Sequence, residues 1–165
     1  MVRAAGARPG APLAALGGAY DWAVDMPGRA SVAPIDLAIE TTVDATAAWS
    51  AVTLPERIAL WFTDATPLGD VGATYRLDFG EGSIVAGEVV AVEPGARFAY
   101  TWAWEDAAPG EVTTVEWTVE RLADGGSRIR LVHSGWRPGE ETARDEHEAY
   151  WTGYLDDLRD ILAEA

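Results

Sequence analysis

The chain has 165 residues, no cysteine, eight tryptophans and a formal net charge of −15, all 12 of its basic residues being arginine. That length suits one domain with a core of its own, and the missing thiols exclude disulfides, thiolate metal sites and a cysteine nucleophile. The acidic balance excludes the basic patch that nucleic acid or an anionic membrane needs, and no apolar run nears the roughly 20 residues of a membrane-spanning helix.

Residues 1–18 are rich in Ala, Gly and Pro and read as a flexible leader. Pro9, Pro12, Gly17 and Gly18 interrupt what would be the apolar stretch of a signal peptide. Residues 19–33 read as a latch or extra strand plus a linker, because Tyr20, Trp22, Val24 and Met26 alternate with Ala19, Asp21, Ala23 and Asp25. As a latch the segment covers its own domain; as a strand it extends a sheet edge or is exchanged with a second subunit. Residues 34–165 form the single domain.

Within it, residues 35–43 predict a first core strand with Ile35, Leu37 and Ile39 on one side. Asp44 caps a helix over 45–52, and Leu54-Pro55-Glu56 opens a second one ending near Phe62. Trp49, Ile58, Leu60, Trp61 and Phe62 supply apolar anchors for the bend between them. Residues 66–72 read as loop. Strands are then predicted over 74–79, 83–92, 97–104, 111–121 and 127–133, separated by Gly80-Glu81-Gly82, Glu93-Pro94-Gly95-Ala96, residues 107–110 and Asp124-Gly125-Gly126. The third of these puts Phe98, Tyr100, Trp102 and Trp104 on a single face. The parity of 74–79 turns Asp78 to solvent, whereas 84–92 is apolar on both parities, so a bulge there would decide where Glu88 points.

The chain ends in a long amphipathic helix over 142–165. Thr142 and Asp145 have capping-box spacing, and Glu140, Glu141, Asp145 and Glu146 place negative charge at its start. Its apolar stripe is His147, Trp151, Tyr154, Leu155, Leu158, Ile161 and Leu162, ring-bearing in the first half and aliphatic in the second. The aromatic half is expected to roof a cavity and the leucine half to close the core. The element order is α+β: a curved antiparallel sheet of about six strands around one long helix, with two short helices after the first strand.

Several pieces in this order carry a resemblance. They are Val43-Asp44-Ala45 with Ala48-Trp49, Leu60-Trp61-Phe62, Val71-Gly72 before Thr74-Tyr75-Arg76-Leu77, and Gly87-Glu88-Val89 with Val92-Glu93-Pro94. Tyr100-Thr101-Trp102, Leu131-Val132-His133-Ser134-Gly135 and Trp151-Thr152-Gly153-Tyr154-Leu155 complete it. From about Ile35 to Leu162 the chain resembles the SRPBCC superfamily of helix-grip, START-like and birch-pollen-allergen-like proteins. More narrowly it resembles the bacterial homologues of the activator of heat-shock-protein-90 ATPase. The resemblance implies a helix-grip fold with a hydrophobic cavity between sheet and C-terminal helix. Its members carry lipids, cyclise polyketides or stimulate a chaperone, so it does not fix one function.

Tyr100, Trp102, Trp104, Trp117, Trp151 and Tyr154 are the leading candidates for the cavity wall, since rings offer apolar faces while hydroxyl and indole N–H groups orient a ligand. Trp61, Tyr75, His133, His147 and Leu158 complete the set; the plainer reading of each is core filling. His133 and His147, the two histidines of the chain, are placed to meet at the cavity mouth as an acid–base pair, or to be satisfied by hydrogen bonds at a helix–sheet junction. Glu148 falls on a different helix face from His147, so no metal is expected, and no cofactor is.

Three functions follow as expectations: a non-catalytic carrier of a small hydrophobic or aromatic molecule, a protein-interaction module related to chaperone ATPase activators, and a cyclase- or hydrolase-type enzyme using His133, His147 or Glu88 in the same cavity. No tight acid–base constellation stands among the rings, which favours binding over catalysis. An exposed apolar patch at Trp22 or Trp136 would favour a protein partner. The cysteine-free composition fits a cytoplasmic protein, monomeric or homodimeric.

Overall fold

A computed structural model describes residues 32–165; the leader and the Tyr20–Met26 segment lie outside the described residues. In chain order the elements are β1 (Ile35–Thr41), α1 (Ala45–Thr53), α2 (Pro55–Ile58), β2 (Asp64–Ala65), β3 (Thr74–Asp78), β4 (Ile84–Glu93), β5 (Arg97–Trp104), β6 (Thr113–Arg121), β7 (Ser127–Ser134) and α3 (Glu141–Ala163). The strands form one antiparallel sheet in the order β1-β7-β6-β5-β4-β3-β2, curved around α3. Seven strands stand where about six are predicted. The additional one, β2, lies just before the loop of residues 66–72 and is only two residues long, too short to show a period in sequence.

The connection through α1 and α2 takes the chain away from β1, so β1 pairs with the last strand, β7, from Ile35↔His133 to Thr41↔Ser127. Asp44 caps α1 as predicted, its Oδ1 accepting the Ala47 N–H at 2.8 Å. Pro55 opens α2, whose α-helical residues end at Ile58 while the chain turns on to Phe62. The Trp61 indole N–H donates to Ala51 O at 2.9 Å and fixes the bend between the two helices.

Alternation decides which face of each strand is buried. Ile35 and Ile39 on β1, Tyr75 and Leu77 on β3, Phe98, Tyr100, Trp102 and Trp104 on β5, and Ile129, Leu131 and His133 on β7 all face the core. On the convex face arginines pair across strands: Arg130 with Asp36, Arg128 with Glu40 and Glu120, and Arg97 with Glu116. These exposed pairs select partners and register more than they stabilise, and salt weakens them. The register shifts between Val89 and Ala91 on β4, the bulge that the two-sided apolar pattern allows, and Glu88 is left exposed.

The start of α3 differs from the expected cap. The helix begins at Glu141, and Glu140 is the N-cap residue, without a side-chain cap bond. Thr142 lies inside the first turn. The reason is local: the Glu140 carboxylate is taken by the Arg137 backbone N–H at 2.7 Å and by the Arg137 guanidinium at 2.8 Å. Arg144 ties the same end of α3 to the entry of β1, donating to Ala33 O and Pro34 O at 3.0 Å. Further along, α3 buries Trp151, Tyr154, Leu155, Leu158 and Leu162 against the sheet. Burying five such side chains contributes roughly 1.5–3 kcal/mol each, upper bounds because the unfolded chain is already partly collapsed.

Candidate functional site

The space between sheet and helix lies where β5 passes under the first half of α3. One cavity of about 30 Å3 is walled by Phe62, Phe79, Trp102, Trp104, His147, Tyr150, Trp151 and Tyr154, every one of them a ring. A second, also about 30 Å3, lies on the other side of Trp104, against Ala103, Ala107, Glu111, Thr113, Trp136, Glu140 and Ala143. Trp102, Trp104 and His147 belong to both walls. A smaller space of about 10 Å3 under α1 and α2 is lined by Trp61, Tyr100 and Trp117 among others. A buried water needs about 10–15 Å3, whereas a cavity that holds benzene is about 150 Å3. The two larger spaces are therefore water-sized as they stand, because the rings pack closely against one another. Phe62 and Tyr154 centroids are 4.8 Å apart, Phe62 and Trp151 5.1 Å, and Trp102 and Trp151 5.4 Å.

Of the predicted site residues, Trp102, Trp104, His147, Trp151 and Tyr154 come together around these two cavities. The others sit elsewhere in the core. Tyr75 sends its hydroxyl to Thr101 O, and Leu158 is fully buried lower on α3. Trp117 donates to the Tyr100 hydroxyl at 3.0 Å, within the small space under α1 and α2. Burial raises both the Tyr75 and the Tyr100 hydroxyl far above the ordinary phenol value, so neither ionises in the native protein. Phe62, Phe79 and Tyr150 line the main cavity but were not in the predicted set. Phe79 shares the strand parity of Tyr75 and Leu77, and Tyr150 is three residues after His147 and four before Tyr154, so helical spacing could have found it.

His133 and His147 do meet, their centroids 5.5 Å apart, but deep in the interior rather than at a mouth. Nδ1 of His133 accepts the Trp151 indole N–H at 3.0 Å. A neutral ring with that acceptor carries its proton on Nε2, which lies 2.6 Å from Thr113 Oγ1 and donates to it. Thr113 Oγ1 in turn reaches Trp102 O at 3.4 Å. His147 has the opposite tautomer, with Nδ1–H donating to Ala143 O at 2.7 Å and Nε2 accepting from Trp104 Nε1 at 3.3 Å. Each imidazole thus holds its lone pair toward an indole. Burial, with His147 as the second cause, holds the His133 imidazole well below its ordinary value.

That depression makes stability depend on pH. The unfolded chain protonates His133 below about pH 6.5 while the folded one does not, so the unfolded state binds the extra proton and stability falls as pH drops. Urea unfolding at about pH 7.5 and 5.5 should show the wild type losing about 1 kcal/mol more than His133→Gln over that interval. Equal losses in the two proteins would remove His133 from the account.

Glu88 and Asp78 both face solvent, away from the histidines, whose nitrogens are engaged in structural hydrogen bonds. Glu148 pairs with Arg144. Among the described residues no group of three or more His, Cys, Asp or Glu side chains is placed to hold a metal ion, and no helix is long and apolar enough to cross a membrane. Trp136 forms no exposed patch: it is buried and donates to His133 O at 3.0 Å; Trp22 lies outside the described residues.

Comparison with known proteins gives the same architecture. DynU16, from the dynemicin biosynthetic locus, is 29% identical with a TM-score of 0.68 over 78% of this chain, which spans only 46% of that protein's length. MLL2253 from Mesorhizobium loti is 23% identical with a TM-score of 0.74, over 81% of this chain and 98% of that one. The Aha1 dimer from Colwellia psychrerythraea is 19% identical with a TM-score of 0.68, over 79% of this chain and 96% of that one. No curated protein matches the sequence. A family model described as "Activator of Hsp90 ATPase homolog 1-like protein" matches residues 42–163, most of the length, and the chain belongs to that family.

Proposed function

We propose that the protein is a non-catalytic binder of a small hydrophobic or aromatic molecule, held between β5 and the aromatic half of α3. The observation that carries this reading is the pair of neighbouring cavities that share the walls Trp102, Trp104 and His147. Trp104 is the last residue of β5, and a turn and loop follow it. Its indole N–H donates to His147 at 3.3 Å, a longer bond than the 3.0 Å bonds of Trp151, Trp117 and Trp136, and its ring packs against Phe79, Trp102 and His147. Swinging that indole outward joins the two spaces and adds its own volume to them. A ligand of one or two fused rings then replaces ring–ring contacts with similar ones, so opening costs little of the apolar burial it disturbs. DynU16, 29% identical to this chain, is named for the dynemicin biosynthetic locus, which is compatible with this reading. Among the exposed large apolar side chains, Leu54 and Leu60 flank α2, Val71 and Val90 lie on segments joined by the Gly72 N–H to Val89 O bond, and Val112 precedes β6.

Titrating tryptophan fluorescence with naphthalene, 2-acetonaphthone and decanoate is the test. The expected result is saturable quenching by at least one aromatic probe, lost in Tyr154→Ala. A flat response to all three, in a protein that copurifies with no small molecule by native mass spectrometry, leaves the interaction-module reading instead.

A further inference from the structure

We propose that the preferred ligand is flat and neutral and carries a hydrogen-bond acceptor oxygen, of ketone, quinone or ether type, which the indole N–H of Trp102 recognises. The inference rests on the reading that the gap between β5 and α3 opens to a ligand.

Trp102 is 4% exposed and forms part of the wall of both cavities, yet its Nε1 has no partner among the described residues. The neighbouring indoles behave differently: Trp61, Trp104, Trp117, Trp136 and Trp151 each donate to a protein acceptor. A buried donor left unmatched weakens the fold, and native proteins keep few of them. An occupant that brings an acceptor removes that cost, and its oxygen gains more here than in water, where the N–H is already bonded. A lone water is the competing occupant, but it needs two to four polar partners. Beside Trp102 the nitrogens of both histidines are already engaged with protein groups, and Glu111, Thr113 and Glu140 line the second cavity but not the first.

The same walls argue against an anion. Neither cavity is lined by an arginine, and the second carries Glu111 and Glu140. A carboxylate on the ligand would lose its hydration with no countercharge to replace it, inside a protein whose net charge is −15. A neutral oxygen accepts the same hydrogen bond without that loss. Flatness follows from the first cavity, whose walls consist wholly of rings.

Three probes of one shape separate these claims: naphthalene, 2-acetonaphthone and 2-naphthoate, with dissociation constants measured by calorimetry. The expected order has the ketone about fivefold tighter than naphthalene, from one hydrogen bond, and the carboxylate weaker than naphthalene by about tenfold or more. In Trp102→Phe, which keeps an aromatic ring and loses the N–H, naphthalene binding should persist and the ketone preference should vanish. A second measurement serves if that variant misfolds: in the proton–nitrogen spectrum of the wild type, where any bound aromatic ring moves nearby signals, saturating ketone should shift the Trp102 indole N–H downfield of its position with saturating naphthalene. Equal affinity for ketone and naphthalene, a Trp102 indole N–H no further downfield with ketone than with naphthalene, or a ketone preference that survives in Trp102→Phe would overturn the inference while leaving ligand binding intact. No binding of any probe would overturn both.

Discussion

Replacing Trp151 with alanine should lower the free energy of unfolding by about 3–5 kcal/mol, the range for truncating a large buried aromatic side chain. The residue is 2% exposed in the middle of α3, and its ring lies 5.1 Å from Phe62, 5.4 Å from Trp102 and 5.8 Å from Trp117. Two effects add. The surrounding rings are stiff and belong to four elements or their flanks, so they cannot collapse into the space left behind. His133 Nδ1 also loses the donor that fixes its tautomer, leaving a buried acceptor unmatched at roughly 1–3 kcal/mol. One effect opposes them, since Trp151 already borders a cavity and the enlarged space could admit water to His133. Trp151→Phe separates the contributions, because it retains most of the apolar area and loses only the N–H. Urea unfolding should rank the alanine variant well below the phenylalanine variant, and both below wild type. An alanine cost under about 1.5 kcal/mol would mean that the ring lines open space in solution rather than filling the core.

The role of Trp151 also shows how far the sequence could be read. The buried face of β5 was legible because Phe98, Tyr100, Trp102 and Trp104 alternate without exception, and the start of α1 because Asp44 has no competing partner. The start of α3 misled for the opposite reason. Thr142 and Asp145 have cap spacing, but Arg137 takes the Glu140 carboxylate and the helix begins two residues earlier than a Thr-capped one would. Strand β2 is too short to have a pattern, and the β1–β7 pairing is a long-range choice that no local signal encodes. For the site, periodicity identified the rings that face inward but not which of them flank a gap. Trp117 and Trp102 each lie on the inward face of their own strand, yet the Trp117 N–H goes to Tyr100 while that of Trp102 stays unmatched. The difference lies in long-range neighbours: Trp117 on β6 has the Tyr100 hydroxyl of β5 within reach, and among the described residues no acceptor stands at the Trp102 N–H.

The second large effect is expected from a single added methyl. Gly87 lies on β4 directly opposite Tyr75 of β3, and the Tyr75 hydroxyl reaches past it to Thr101 O on β5. The Glu88 N–H donates to Thr101 Oγ1 at 2.9 Å, in place of a regular ladder bond. A Cβ on Gly87 would stand 2.1 Å from Thr101 O and 2.7 Å from Thr101 Oγ1. A side-chain tip could move aside, but a carbonyl oxygen in the middle of a strand cannot move unless β4 and β5 separate. Adding a methylene to a packed interior typically costs 1–3 kcal/mol; with backbone in the way, Gly87→Ala should cost about 3 kcal/mol or more. Gly80→Ala is the control, since its Cβ meets nothing within 4 Å and only the φ of +85° is strained, a cost of about 1–2 kcal/mol. Matching losses in the two variants would mean that the strands already stand further apart at Gly87. If the crowding is real, it carries a functional signature. Thr101 immediately precedes Trp102, so pushing β5 away from β4 displaces the indole at the wall of both cavities, and aromatic probes should bind Gly87→Ala more weakly even at a temperature where it remains folded.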